Sequence, residues 1–347
     1  MPEAGWQQYL PLLDAALCNR WQAVLQIARE GKQEALRDFL LHNDLGPTLY
    51  WLVQRADASS ALPGALLLEL MGSASHARLH NEQLLAVLNE VVTAARQRGI
   101  ELISLKGLHH TELLYGDISA RRIRDIDVLI TPSQREALAE VLLTLGFSPG
   151  PRLPQSFERY LTHATHWRCG PIEIDVHHAL RAQPGYRLDV AGFITRCREQ
   201  RIFSVQALVP TESDSLLLML LSLCNDLERG VVRARSLVDL WLLLGRCDNT
   251  LNWPEFFTQL DAQRLQQPAL AALRVVCTGL PGALATLPGL SVALAGGDAV
   301  SRNAALALLS GKPFAGRRWF MRHGPLPLPA YLAWYIGGMP LRHWANR

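Results

Sequence analysis

Apolar positions recur every three to four residues at the start of the chain: Trp6, Leu10, Leu13 and Leu17, then Trp21, Leu25 and Ala28. That spacing predicts helices across 6–56. Asn81 to Arg98 forms the clearest amphipathic helix. Leu84, Leu85, Val87, Leu88, Val91, Val92 and Ala95 make its apolar stripe, and Gly99 marks its end. The period then changes. "IELISL" (100–105) is a short apolar run bounded by glycines and reads as a buried strand. Gly107 marks a turn, and "LHHTELLYG" predicts about two turns of helix stopped at Gly116.

Strict alternation follows in "IRDIDVLI" (123–130), with Ile123, Asp125, Asp127 and Leu129 on one face and Ile126, Val128 and Ile130 on the other. After a helix from Pro132 to Leu145, "GPIEIDVHHAL" (170–180) predicts a further strand. It sets Ile172, Ile174 and Val176 against Glu173, Asp175 and His177. Past residue 185 the pattern is helical, as in "SDSLLLMLLSLCNDL" and "RARSLVDLWLLLGR". The organisation expected is a helical region over 1–80, an α/β core over 81–185 and a second helical region over 186–347.

The alternation places carboxylates where an apolar strand would not hold them unaided. Side chains two residues apart on a strand point the same way, roughly 6.5–7 Å apart. Asp125 and Asp127 therefore repel and resist desolvation unless positive charge lies between them. A divalent cation answers that need. Hard oxygen ligands suit Mg²⁺, and two such ions about 3.5–4 Å apart can activate a nucleophile and stabilise a departing phosphate oxygen. Asp175 offers a third carboxylate from a neighbouring strand. Upstream, Lys106-Gly107 sits where a strand turns into a helix, so free backbone N–H groups and the helix dipole favour an anion there. Lys106 adds a point charge. This turn is not a P-loop, because GxxxxGK[ST] is missing.

Composition narrows the setting. The chain has 347 residues, 49% hydrophobic and 19% charged, with a formal net charge of +3. These values describe an ordinary globular protein and give no reason to expect a nucleic-acid groove. Six scattered cysteines without a CxxC pair read as thiols of a reducing compartment. No leader is recognisable at the start and no window is apolar enough to cross a bilayer, so the expected location is cytoplasmic.

The histidines point less clearly. His109, His110, His163, His166, His177 and His178 have HH and HxxH spacings rather than HExxH, which argues against zinc. His109 and His110 are expected to divide between sheet and solvent, and His163 and His166 to lie at the surface or cap an element. His177 shares a face with Asp175 and can orient it or contact substrate. Asp239 reads as paired with Arg235 one turn earlier, a buried pair holding its helix to the core, with a direct nucleotide or acceptor contact as the alternative. The aromatic stretch 325–344 is expected to cover the core.

Strand, glycine turn, helix, an hDhDh strand and a later third acid is an arrangement that resembles the polymerase-β-like nucleotidyltransferase superfamily. More narrowly, "LKG", "YGDISARRIRDIDVLI" and "IEIDVHHAL" resemble a bacterial family of uncharacterised nucleotidyltransferases. The resemblance spans roughly 75–245. It implies an α+β fold, a small mixed sheet flanked by helices, with helical N- and C-terminal regions. It also implies that Asp125, Asp127 and Asp175 are catalytic and hold metal, with Asp175 acting as or orienting the general base. Lys106, Gly107, Arg121 and His177 would serve the nucleotide, Arg121 by steadying phosphate charge. The cofactors implied are two Mg²⁺ ions, and the substrate an NTP such as ATP. The reaction implied is NMP transfer to a hydroxyl-type acceptor (a small molecule, sugar or peptide) with release of pyrophosphate. Two departures stand out: Lys-Gly replaces the superfamily's Gly-Ser at the turn, and His177-His178 replaces the family's His-Trp. A kinase using the same pocket, or a non-catalytic nucleotide- or partner-binding module, would carry many of the same residues.

Overall fold

The computed structural model describes residues 6–31, 33–151, 162–181, 185–230, 232–295 and a few positions between 305 and 332. Their contacts group into two compact units. One gathers Met1–Leu79, Ser119–Arg122 and Met219–Gly324; the other gathers His80–Ile118, Ile123–Leu218 and Pro325–Arg347.

In the first unit, the described residues are mainly helical, with Leu10–Leu17, Trp21–Glu30, Gln33–His42, Gly46–Arg55, Ala234–Cys247, Trp253–Ala262 and Gln266–Gly279 among its elements. Its interior is apolar, and its backbone ends are met by polar side chains. Asp14 accepts from Arg20 Nη2 and from the Ala283 backbone N–H, each at 2.8 Å. Asn43 Oδ1 accepts from the N–H of Ala234, the first residue of its helix, at 2.7 Å. The short segment 119–122 is held by the same unit. Thr48 donates to the Ala120 carbonyl, Arg121 Nε pairs with Asp239 at 2.9 Å, and Arg235 Nη1 donates to the Arg122 carbonyl and reaches Asp44. Asp239 thus finds a cation 118 residues away in sequence.

A seven-stranded mixed sheet organises the second unit, in the order β3-β4-β5-β2-β1-β7-β6. The strands are β1 (Ile103–Ser104), β2 (Ile126–Leu129), β3 (Ser148–Pro149), β4 (Ala164–Cys169), β5 (Ile172–His177), β6 (Arg198–Ile202) and β7 (Val205–Val209). β2 runs parallel to β5 and β1 parallel to β7, while the remaining pairs are antiparallel. Ile126, Val128, Ile172, Ile174 and Val176 share one buried cluster with Leu84, Leu88, Val91 and Ala95 and with Leu138, Val141 and Leu142 of the helix Arg135–Thr144. Each of the Ile, Val and Leu side chains contributes roughly 1.5–3 kcal/mol when fully buried. With one parity of β2 and β5 committed to that core, the other parity, which carries Asp127, Asp175 and His177, is turned to the opposite face.

Several elements differ from the sequence expectation. The helix expected from Asn81 begins at Gly64 and runs to Gln97, because Leu66, Leu70, Ala74 and Ala77 continue a buried stripe at helical spacing. Strands β6 and β7 stand where only helices were expected. Their short alternating segments, turned at Phe203 with φ +51°, gain ladder bonds by joining the sheet edge. His109 and His110 are both buried, contrary to the expected division between sheet and solvent. Every residue of their helix Leu108–Tyr115 except Glu112 is buried, so the helix has little solvent face to offer. Most of the aromatic stretch 325–344 lies outside the described residues; Tyr331 within it is buried. Among the described residues no helix is long and apolar enough to cross a membrane.

Candidate active site

Three neighbouring strands build the site. β2 and β5 are parallel and in register, with Asp127 opposite Asp175 and Leu129 opposite His177. β4 and β5 form a hairpin over Gly170-Pro171, where Gly170 has φ +56°, and that register sets His166 opposite Asp175. Asp127, Asp175 and His177 each present a ligand atom within 4.8 Å of the other two. Asp125 lies just before the first residue of β2, and it is not one of that group.

The turn at Lys106-Gly107 approaches from β1, whose pairing with β2 continues through a bond from the Leu105 N–H to the Asp127 carbonyl. Gly107 has φ +51° and ψ −106° and caps the helix Leu108–Tyr115. A Cβ there would lie 3.1 Å from Ile123 Cγ2 and 3.3 Å from the Asp125 carbonyl oxygen. Only glycine relieves both the dihedral strain and the crowding. The tight passage lets Lys106 Nζ lie 3.7 Å from Asp127 Oδ1, and at the start of the helix the His109 N–H is taken by the Lys106 carbonyl and the Thr111 N–H by that of Gly107.

Asp127 is the electrostatic centre. Its side chain is only 12% exposed. Burial alone would raise its pKa, but the Lys106 charge, the hydrogen bond from His177 and the nearby His163 together hold it well below the ordinary carboxylate range. The His177 Nε2 to Asp127 Oδ1 distance is 2.8 Å, with the imidazole side chain 3% exposed. The proton on Nε2 is assigned from that contact, since a carboxylate can only accept. The His163 ring lies 5.1 Å from that of His177, centroid to centroid. Burial, and then the neighbouring His177 and Lys106, push the His163 pKa well below its usual value. His166 Nδ1 lies 2.5 Å from Asp175 Oδ1, and that hydrogen bond raises the His166 pKa despite partial burial.

The structure therefore brings together Lys106, Gly107, Asp127, Asp175 and His177. Asp125 contributes a charge close enough to raise the His166 pKa. Arg121 belongs to the first unit, where Asp239 holds its guanidinium. His166 lies at the surface as expected and its ring also meets Asp175, while His163, expected at the surface or in a cap, lies beside His177 and Asp127. The Gly170-Pro171 turn between two alternating runs carried the signal for His166, because a two-residue hairpin places 166 opposite 175. Two carboxylates, one held ionised, with an imidazole beside them are a donor set that accepts a divalent ion.

Comparison with known proteins places this geometry in context. The model of a family described as uncharacterised nucleotidyltransferase matches residues 21–278. Among solved structures, the chain is similar to the antibiotic-resistance factor ANT(2'')-Ia, studied in solution, with a TM-score of 0.39 and 14% identity, covering 55% of this chain and 96% of that one. No curated protein matches the chain.

Proposed function

Since the chain belongs to the uncharacterised nucleotidyltransferase family, we propose that it transfers an NMP from an NTP, with ATP as the first candidate, to a hydroxyl-type acceptor and releases pyrophosphate. The observation that carries this reading is the parallel register that sets Asp127 beside Asp175, with Lys106 on the same carboxylate. Asp127 and Asp175 would hold divalent metal, Mg²⁺ on oxygen chemistry alone, with Asp125 at the rim completing a place for a second ion. When bound, such ions neutralise phosphate charge and orient the displaced group.

The chain's own residues supply the rest. The helix that follows the Gly107 turn would favour an anion at its start through its dipole. Lys106 stands where a phosphate oxygen would share its charge with Asp127. Before an ion enters, the His177 Nε2–H holds the Asp127 carboxylate in one orientation. Asp175, steadied by His166, takes or directs the proton of the acceptor hydroxyl. Catalysis of this kind is mainly positioning and charge stabilisation. Six free thiols suit the reducing cytoplasm in which NTPs are available.

The test is product analysis of an NTP incubated with candidate acceptors. Pyrophosphate and an NMP adduct support the proposal, whereas an NDP means a kinase. D127N should abolish turnover with the fold intact by circular dichroism, and undiminished turnover in that variant would overturn the site assignment.

A further inference from the structure

We infer that His177 supplies a nitrogen ligand to the metal, which makes the site selective for a divalent transition ion, Mn²⁺ in the first instance, over Mg²⁺. The inference rests on the metal reading proposed above and specifies its coordination. An all-carboxylate site would suit Mg²⁺, which favours oxygen and dehydrates reluctantly. Here the three side chains whose ligand atoms converge within 4.8 Å are Asp127, Asp175 and His177. Imidazole suits transition ions, whereas carboxylate suits Mg²⁺, Ca²⁺ and Mn²⁺, and of these carboxylate-preferring ions Mn²⁺ is the transition metal.

Two features of His177 fit a ligand, its burial and the aim of its Nε2, and a third sets the cost. Its side chain is 97% buried and its ring lies against His163, so its orientation is set before any ion arrives. Its Nε2 points at the carboxylate oxygen that also draws Lys106. Its Nδ1 is buried and meets no hydrogen-bond partner among the described residues. The tautomer of a ligating histidine is ordinarily fixed by the bond its other nitrogen makes. Among the described residues nothing on the Nδ1 side plays that part, so ligation requires the ring proton to move to Nδ1 without such a partner while the Nε2–H bond is given up for an Nε2–metal bond. His166 is a poorer candidate, since its side chain is 54% exposed and it lies outside the converging group.

Pulsed electron paramagnetic resonance of the full chain loaded with Mn²⁺ alone tests this. The expected result is the modulation of a directly coordinated imidazole nitrogen, changing pattern when the protein's histidines carry heavy nitrogen. H166Q should retain the modulation and H177Q should lose it. Mn²⁺ affinity in H177Q should fall by at least the roughly 10–100-fold that outer-shell partners of a metal carry, and Mg²⁺ should displace Mn²⁺ from the wild type only in large excess. Should H177Q misfold, retention of the isotope-sensitive modulation in both H163Q and H166Q still assigns the nitrogen to His177, and its loss in either overturns the assignment. Bound Mn²⁺ without nitrogen modulation, or Mg²⁺ competing on equal terms, overturns the inference and leaves the nucleotidyl-transfer reading standing. Failure of the chain to bind either ion overturns both.

Discussion

Replacing Lys106 by methionine should tighten metal binding and weaken nucleotide binding, two effects of opposite sign from one substitution. Lys106 Nζ lies 3.7 Å from Asp127 Oδ1. Two unit charges at that separation attract by about 1 kcal/mol in water and about 4–5 kcal/mol at an effective dielectric near 20. The lysine side chain is 26% exposed and the aspartate 12%, so water screens part of the larger figure. A divalent ion entering beside Asp127 must share the carboxylate with the ammonium or push it aside, at a cost of about 1–2 kcal/mol. Methionine keeps most of the aliphatic length and removes the charge. K106M should therefore bind Mg²⁺ or Mn²⁺ about tenfold more tightly without nucleotide, since about 1.4 kcal/mol is a factor of ten. The same variant should bind NTP more weakly, because the charge meant for a phosphate oxygen is gone. Isothermal titration of each ion, then of NTP, into wild type and K106M measures both. Unchanged or weaker metal affinity in K106M would refute the view that Lys106 is the internal counter-ion of Asp127.

Two further predictions concern stability. Burial, and then the Arg198 charge, lower the pKa of His109 to about 4, so the folded protein refuses a proton that the unfolded chain accepts below about 6.5. Stability is then full above pH 6.5 and declines toward pH 4, by about 3 kcal/mol from this residue, with His163 acting in the same direction. Urea denaturation at several pH values should show that slope and a shallower one in H109Q; parallel slopes would exclude His109 as the source. Separately, D239A removes the carboxylate paired with the mostly buried Arg121 guanidinium and should destabilise the protein by about 3 kcal/mol. A denaturant-midpoint shift worth under about 1 kcal/mol would mean that the pair does not anchor segment 119–122.

Much of the candidate site is written locally. Alternation over "IRDIDVLI" and "IEIDVHHAL" determines that Asp127 shares a parity with Asp125, and Asp175 with His177, because successive side chains of any strand point to opposite faces. The glycine turn at 107 is equally local: a helix starting directly after a strand needs a backbone that only glycine adopts there. Strand alternation alone could not say where strand pairing begins. β2 starts at Ile126, so Asp125 stands at the entrance to the strand rather than within its paired face.

What tertiary structure decided is adjacency. Nothing within a few residues of Asp127 specifies that Asp175 lies directly opposite it in a parallel pair; that follows from which strands become neighbours and in what register. The same holds for His166 on Asp175 across the β4–β5 hairpin and for Arg121 on Asp239. It holds too for His109, whose burial depends on what covers a helix that its own periodicity left half open. Residues three or four positions apart impose local periodicity through the geometry of one element. Register, neighbours and covering surfaces are settled by contacts between elements far apart in the chain, and those contacts turn an acidic strand into a charge-balanced site.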